Sequence, residues 1–150
     1  MEKYLTIKLN EEYFALSLKD IREIIPYSVP SPVPNMPPYI AGLIHLRGFF
    51  LPLVDLKKIF GIQERQGVKK KIVVISFFKR VIGMDVDEAE DIISVEKNEI
   101  IPTPNLITSI NSNFFLGGFY LNGKIILIID LKRVFTDVNL IKEISKRKPA

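Results

Sequence analysis

Apolar and polar residues alternate with a period of two along most of this chain, the signature of strands rather than helices. Tyr4–Leu9 sets Tyr, Thr and Lys against Leu, Ile and Leu, which predicts a half-buried strand. Asn10-Glu11-Glu12 reads as a tight turn and Tyr13–Leu18 as the returning strand. Lys19–Ile25 fits either a helical turn or a strand. Pro26–Pro38 carries six prolines, so neither a helix nor a central strand runs there. A rigid connector laid over a barrel is expected instead.

The chain is organised around Gly42–Gly61. Tyr39–Ile44 and Phe49–Leu56 read as strands, and Gly42 and Gly48 mark a bend or a close backbone approach. Phe49–Val54 is almost wholly apolar and is expected to be buried on both faces. Pro52 removes one ladder donor and argues for an edge strand or a bulge. Arg47 is the only charged residue between Glu23 and Asp55. Lys57–Phe60 predicts a helical turn closed by Gly61.

This stretch has an echo. A shift of 75 places Gly42, Leu46 and Gly48 on Gly117, Leu121 and Gly123, and Leu51–Phe60 on Ile126–Phe135. A shift of 68 places Tyr13–Ile25 on Val81–Ile93. Two copies of so long a unit predict two similar subdomains, with halves near residues 4–61 and 71–136. In the second half, Lys71–Phe78 and Val81–Val86 form a hairpin, and Asn122-Gly123 is a type I′ turn signal. Ile107–Phe115 carries few structural signals, whereas Asp137–Lys148 has the apolar spacing of a short terminal helix. The whole reads as one mainly-β domain of small barrels over 1–150.

Composition narrows the function classes. At 47% hydrophobic and 25% charged residues the chain is globular, and no apolar run is long enough for a membrane-spanning helix. It begins without an apolar signal core, so a cytoplasmic location is expected. With no cysteine and a single histidine, thiolate metal sites, Cys–His pairs and histidine-rich metal sites are ruled out. His45 has no nucleophile elbow to serve and reads as a surface histidine, and no phosphate-cradling glycine loop is present. Five carboxylates in Asp85–Asp91 lack calcium-loop spacing and read as a solvated acidic edge or a surface for a basic partner. No catalytic residue, metal or cofactor is expected. The net charge of +4 raises a small-barrel nucleic-acid binder as the alternative, but no aromatics flank Lys69–Lys71 or Lys146–Lys148.

Gly42-Leu-Ile-His-Leu-Arg-Gly48 followed by Pro52-Leu-Val-Asp-Leu-Lys57 resembles the signature of the CheW family of chemotaxis coupling proteins. The likeness continues through Glu12–Leu16, Ile21–Ile24, Pro37–Tyr39, Ile82–Asp87, Asp91–Ser94, Leu116–Gly118 and Leu127–Leu131, covering residues 4–136 in order. The resemblance implies two interleaved five-stranded SH3-like barrels. It also implies a stand-alone, non-catalytic adaptor joining methyl-accepting chemoreceptors to the chemotaxis histidine kinase.

Carried over by position, Arg47 supports receptor and kinase coupling, with Glu23 as its surface ion-pair partner. Ile21, Ala89 and Ile92 match positions at or near the receptor groove, the other reading being ordinary core. Gly42 matches a glycine where a side chain would obstruct docking, the other reading being backbone geometry. His45 stands where the family usually has Asn and Lys57 where it usually has Arg, which leaves the role of position 57 open.

Overall fold

The computed structural model describes residues 1–67, 69–102 and 110–138. Its ten strands are β1 (Glu2–Leu9), β2 (Glu12–Ser17), β3 (Ile21–Pro26), β4 (Ile40–Leu46), β5 (Phe49–Val54), β6 (Lys71–Phe77), β7 (Arg80–Val86), β8 (Glu88–Val95), β9 (Phe115–Leu121) and β10 (Lys124–Ile129). Two short helices follow β5 and β10: α1 (Leu56–Phe60) and α2 (Leu131–Asp137). The terminal helix expected over Asp137–Lys148 lies outside the described residues from 139 onward.

The strands form two five-stranded sheets of SH3-like type, in the orders β8-β1-β2-β10-β9 and β3-β6-β7-β5-β4. Under the sequence repeat, β1 to β5 correspond to β6 to β10, and the two orders become identical. Each sheet combines the hairpin of one half with three strands of the other, so the halves exchange strands reciprocally. Parallel pairing joins each hairpin to its borrowed strands, Phe14 opposite Leu127 on β2 and β10, and Gly83 opposite Leu53 on β7 and β5.

The repeat extends to detail. Asp55 and Asp130 cap α1 and α2 by accepting from the Lys58 and Arg133 backbone N–H groups at 3.1 and 3.2 Å. Gly42 and Gly117 adopt φ of 149° and 155°, where an added Cβ would lie 2.3 Å from the Ser31 oxygen and 2.6 Å from the Ile101 oxygen. Each crossing connector bridges the residue after its glycine, Ser31 with Leu43 and Ile101 with Gly118. Only glycine fits these crossings.

Burial follows the swap. The largest core lies between the sheets, uniting Ile7, Phe14 and Leu16 with Val54, Met84 and Phe135. Smaller cores fill each barrel, around Tyr4, Phe119 and Ile128 in one and Ile44, Leu53 and Ile72 in the other. Two expectations need correction. Pro52 is not on an edge strand, because β5 lies between β7 and β4. It is tolerated because the pairing with β7 begins only at Leu53. Phe49–Val54 is not buried throughout either: Phe49 and Phe50 are 74% and 75% exposed, since this start of β5 runs beyond that pairing.

Candidate partner-binding surface

Glu23 lies on β3 and Arg47 in the turn leaving β4, the two edge strands of one sheet. Their side chains meet as a bidentate pair, Arg47 Nη2 donating to Glu23 Oε1 at 2.8 Å and Nη1 donating to Oε2. The sheet therefore curls until its edges approach, and the pair clasps them. Hydrogen bonding from Arg47 holds the Glu23 carboxyl below the usual carboxylate range, and the same contact raises Arg47. The Arg47 side chain is 70% exposed, so its outer face is open to a partner. Near the end of β4 the exposed His45 accepts from the Gly48 N–H through Nε2 at 3.2 Å, its ring 5.6 Å from that of Phe50.

The other candidate residues sit apart from the clasp. Ile21 is half-buried at the start of β3 and packs on the central core. Gly42 is buried beneath the Ser31 crossing. Ala89 and Ile92 lie on β8, an edge strand of the other sheet, where Ala89 is 9% exposed within the core and Ile92 is 60% exposed. The shift of 68 makes Ile21 equivalent to Ala89, and Ile24 to Ile92. Ile24, 42% exposed, is an apolar edge position that sequence reasoning passed over.

Sequence reasoning also missed a buried charge network. The acidic run Asp85–Asp91 is not a solvated edge throughout, because Asp85 and Asp87 are 7% and 4% exposed. Asp87 accepts from Lys57 Nζ at 2.8–2.9 Å and from the Asn10 backbone N–H at 2.5 Å. Lys57 therefore faces inward, not toward a partner. Burial, with the Asp55 charge second, pushes Asp85 up to about 6 despite Lys70 at 3.5 Å. Burial pulls Lys70 down, but the Glu64 hydrogen bond and the Asp85 and Glu64 charges leave it raised. The chain is buried on both faces from Ile82 to Asp87, so the period-two placement of Asp85 and Asp87 carried no signal of burial.

Two strand-swapped barrels joined by a central core, with an exposed Glu–Arg clasp on one of them, define a mainly-β module of SH3-like type. The model of the CheW-like domain matches residues 3–139, and the chain belongs to that family. It is similar to the chemotaxis protein CheW of Rhizobium meliloti, 29% identical over 132 residues, 87% of this chain and 85% of that one. It is 34% identical to the chemotaxis protein CheW of Bacillus subtilis over 104 residues, 69% of this chain and 67% of that one. Among solved structures it resembles the scaffolding protein TtCheW of Thermoanaerobacter tengcongensis, with a TM-score of 0.82 and 32% identity over 89% of this chain and 87% of that chain. Among the described residues no helix is long and apolar enough to cross a membrane.

Proposed function

We propose that this chain is a non-catalytic adaptor that couples methyl-accepting chemoreceptors to the chemotaxis histidine kinase. The observation that carries this is its likeness, over most of both chains, to a protein described as a scaffold. In this reading the single domain 1–150, built of two pseudo-repeated barrels, works in the cytoplasm and reaches the membrane only through its partners. The kinase contact is made with the regulatory domain. Arg47 and Glu23 present a docking surface, Ile21 lies on the same strand as Glu23, and Ile92 offers an exposed apolar position on the edge of the other sheet. Ala89 and Gly42 are buried and act through the backbone of β8 and of β4. The nucleic-acid alternative is not favoured: Lys70, the centre of one basic cluster, is committed to Glu64 and Asp85.

The test is reconstitution. Receptor-bearing membranes should recruit the kinase in the presence of this chain and markedly less without it, with Arg47→Ala between the two. Recruitment independent of the chain would overturn the adaptor reading.

A further inference from the structure

We propose that His45 is a proton-operated catch on the β4–β5 turn: neutral, it fixes the loop that carries Arg47; protonated, it lets the loop go. Docking through Arg47 then weakens as the medium acidifies. That second step rests on the adaptor reading, and the catch itself does not.

The turn is a two-residue hairpin loop, closed by the pairing of Leu46 with Phe49. Arg47 and Gly48 sit in it at φ of 49° and 83°. Glycine takes such values freely and arginine does not. The matching loop of the other barrel, Asn122-Gly123 between Leu121 and Lys124, has φ of 51° and 77°. It puts asparagine first, the residue that this kind of loop prefers. The Arg47 loop therefore starts from a less suited residue, and it gains a bond that its twin cannot make. His45 Nε2 accepts from the Gly48 N–H at 3.2 Å, whereas the repeat puts Tyr120, which has no ring nitrogen, at that place.

An acceptor nitrogen on an exposed imidazole is open to protons from solvent. Imidazole is the side chain that changes charge between about pH 5 and 8. Once protonated, Nε2 carries its own hydrogen toward the Gly48 N–H, two donors face each other, and the bond is lost. The strand paired with β4, β5, has no charged residue, and its Phe50 stands ring to ring with His45 at 5.6 Å. The connector that crosses β4 at Leu43 brings only Tyr27 and Tyr39 as titratable groups. The charges around the turn are Arg47 itself, Glu23 from β3, and Arg22, Lys79 and Arg80 at the same barrel mouth. Glu23 is the single carboxylate among them, and Arg47 already occupies it. An imidazolium therefore gains no anion in exchange for the amide it loses. The ion pair survives the step, because hydrogen bonding from Arg47 keeps Glu23 ionised there. What is lost is the fixed loop that presents it.

His45 is the only histidine, so its ring signals are unambiguous. NMR follows the imidazole nitrogens and the Gly48 amide from about pH 8 to about pH 5 in the wild type, H45Q and D85N. Glutamine extends as far as Nε2 and ends in an amide oxygen that accepts but does not titrate. D85N removes the buried carboxyl that titrates at about 6. The neutral ring should carry its hydrogen on Nδ1. The Gly48 amide should track the ring's titration in the wild type and in D85N, and stay level in H45Q. A neutral ring with its hydrogen on Nε2, a Gly48 amide indifferent to the ring, or the same Gly48 curve in H45Q would overturn the inference. The wild type and H45Q are then titrated into the kinase regulatory domain at about pH 7.5 and about pH 5.5. Acidification should weaken the wild type about fivefold more than H45Q. Equal pH dependence of the two proteins also overturns the inference and leaves the adaptor reading. Binding by neither protein at either pH, with Gly48 tracking the ring, sinks the adaptor reading and leaves the catch.

Discussion

Lys57 Nζ stands 2.8 Å from Asp87 Oδ2, with the two side chains only 4% and 5% exposed. The pair joins α1, which follows the β3–β7 sheet, to the crossing between β7 and β8, where the chain passes into the other sheet. Asp87 also holds the backbone of Asn10 in the β1–β2 turn, so one carboxylate ties three segments at the junction of the barrels.

Removing one member leaves the other charged and buried. Lys57→Ala or Asp87→Ala should each cost about 3–5 kcal/mol, whereas the Lys57→Met/Asp87→Leu double variant should recover much of that loss. Denaturant unfolding of the four proteins checks this. Equal stability of the single variants and the wild type would remove the pair from the account.

Asp85 gives stability a pH dependence of definite sign. Its folded pKa of about 6 lies above the ordinary value of 3.8, so between these pH values the native state binds the proton that the unfolded chain has released. Its contribution is complete below pH 3.8, declines as pH rises toward 6 and is gone above it, at about 1.4 kcal/mol per pH unit within the window. Thermal melts between pH 4 and 7 should therefore show a fall in Asp85→Asn that is smaller than in the wild type. Parallel profiles would contradict the assignment.

Gly42 and Gly117 should behave as twins. An alanine at either must tolerate φ near 150° and push its Cβ into a carbonyl oxygen of the crossing connector. Each substitution should cost at least about 1–3 kcal/mol. Melting curves of G42A and G117A test this against the docking role of Gly42: an unchanged melting temperature with lost partner binding would favour docking alone.

The Glu23–Arg47 clasp is exposed, so its loss should spare the fold and damage recognition. Arg47→Ala and Glu23→Ala should melt close to the wild type yet bind partner more weakly. Because the Glu23 carboxyl is held below its ordinary 4.5, the clasp should persist at that pH and open only on further acidification. Carboxyl chemical shifts across an acid titration would follow it.

The repeat was legible because its marks, the paired glycines, the capping aspartates and the Asp-Leu-basic exits, recur at fixed spacing and do local work. The strand exchange was legible only through the family resemblance, which implied interleaved barrels, and not from the pattern of residues. A period of two says which face a residue shares, but not whether β2 pairs with β5 or with β10. Phe49 and Phe50 were misjudged for a related reason: apolar character predicts burial only where a neighbouring strand is present, and β7 reaches β5 only from Leu53. The role of Lys57 stayed open because its partner lies 30 residues away, inside a run of carboxylates that read as solvated. The Glu23–Arg47 pair was legible through family resemblance.

The most direct test of the adaptor account is calorimetric titration of the chain into the regulatory domain of the same organism's chemotaxis kinase, at low and high salt, with Arg47→Ala and Ile21→Glu in parallel. The account predicts saturable one-to-one binding, little weakened by salt and reduced in at least one variant. No heat of binding from the folded wild-type protein would contradict it.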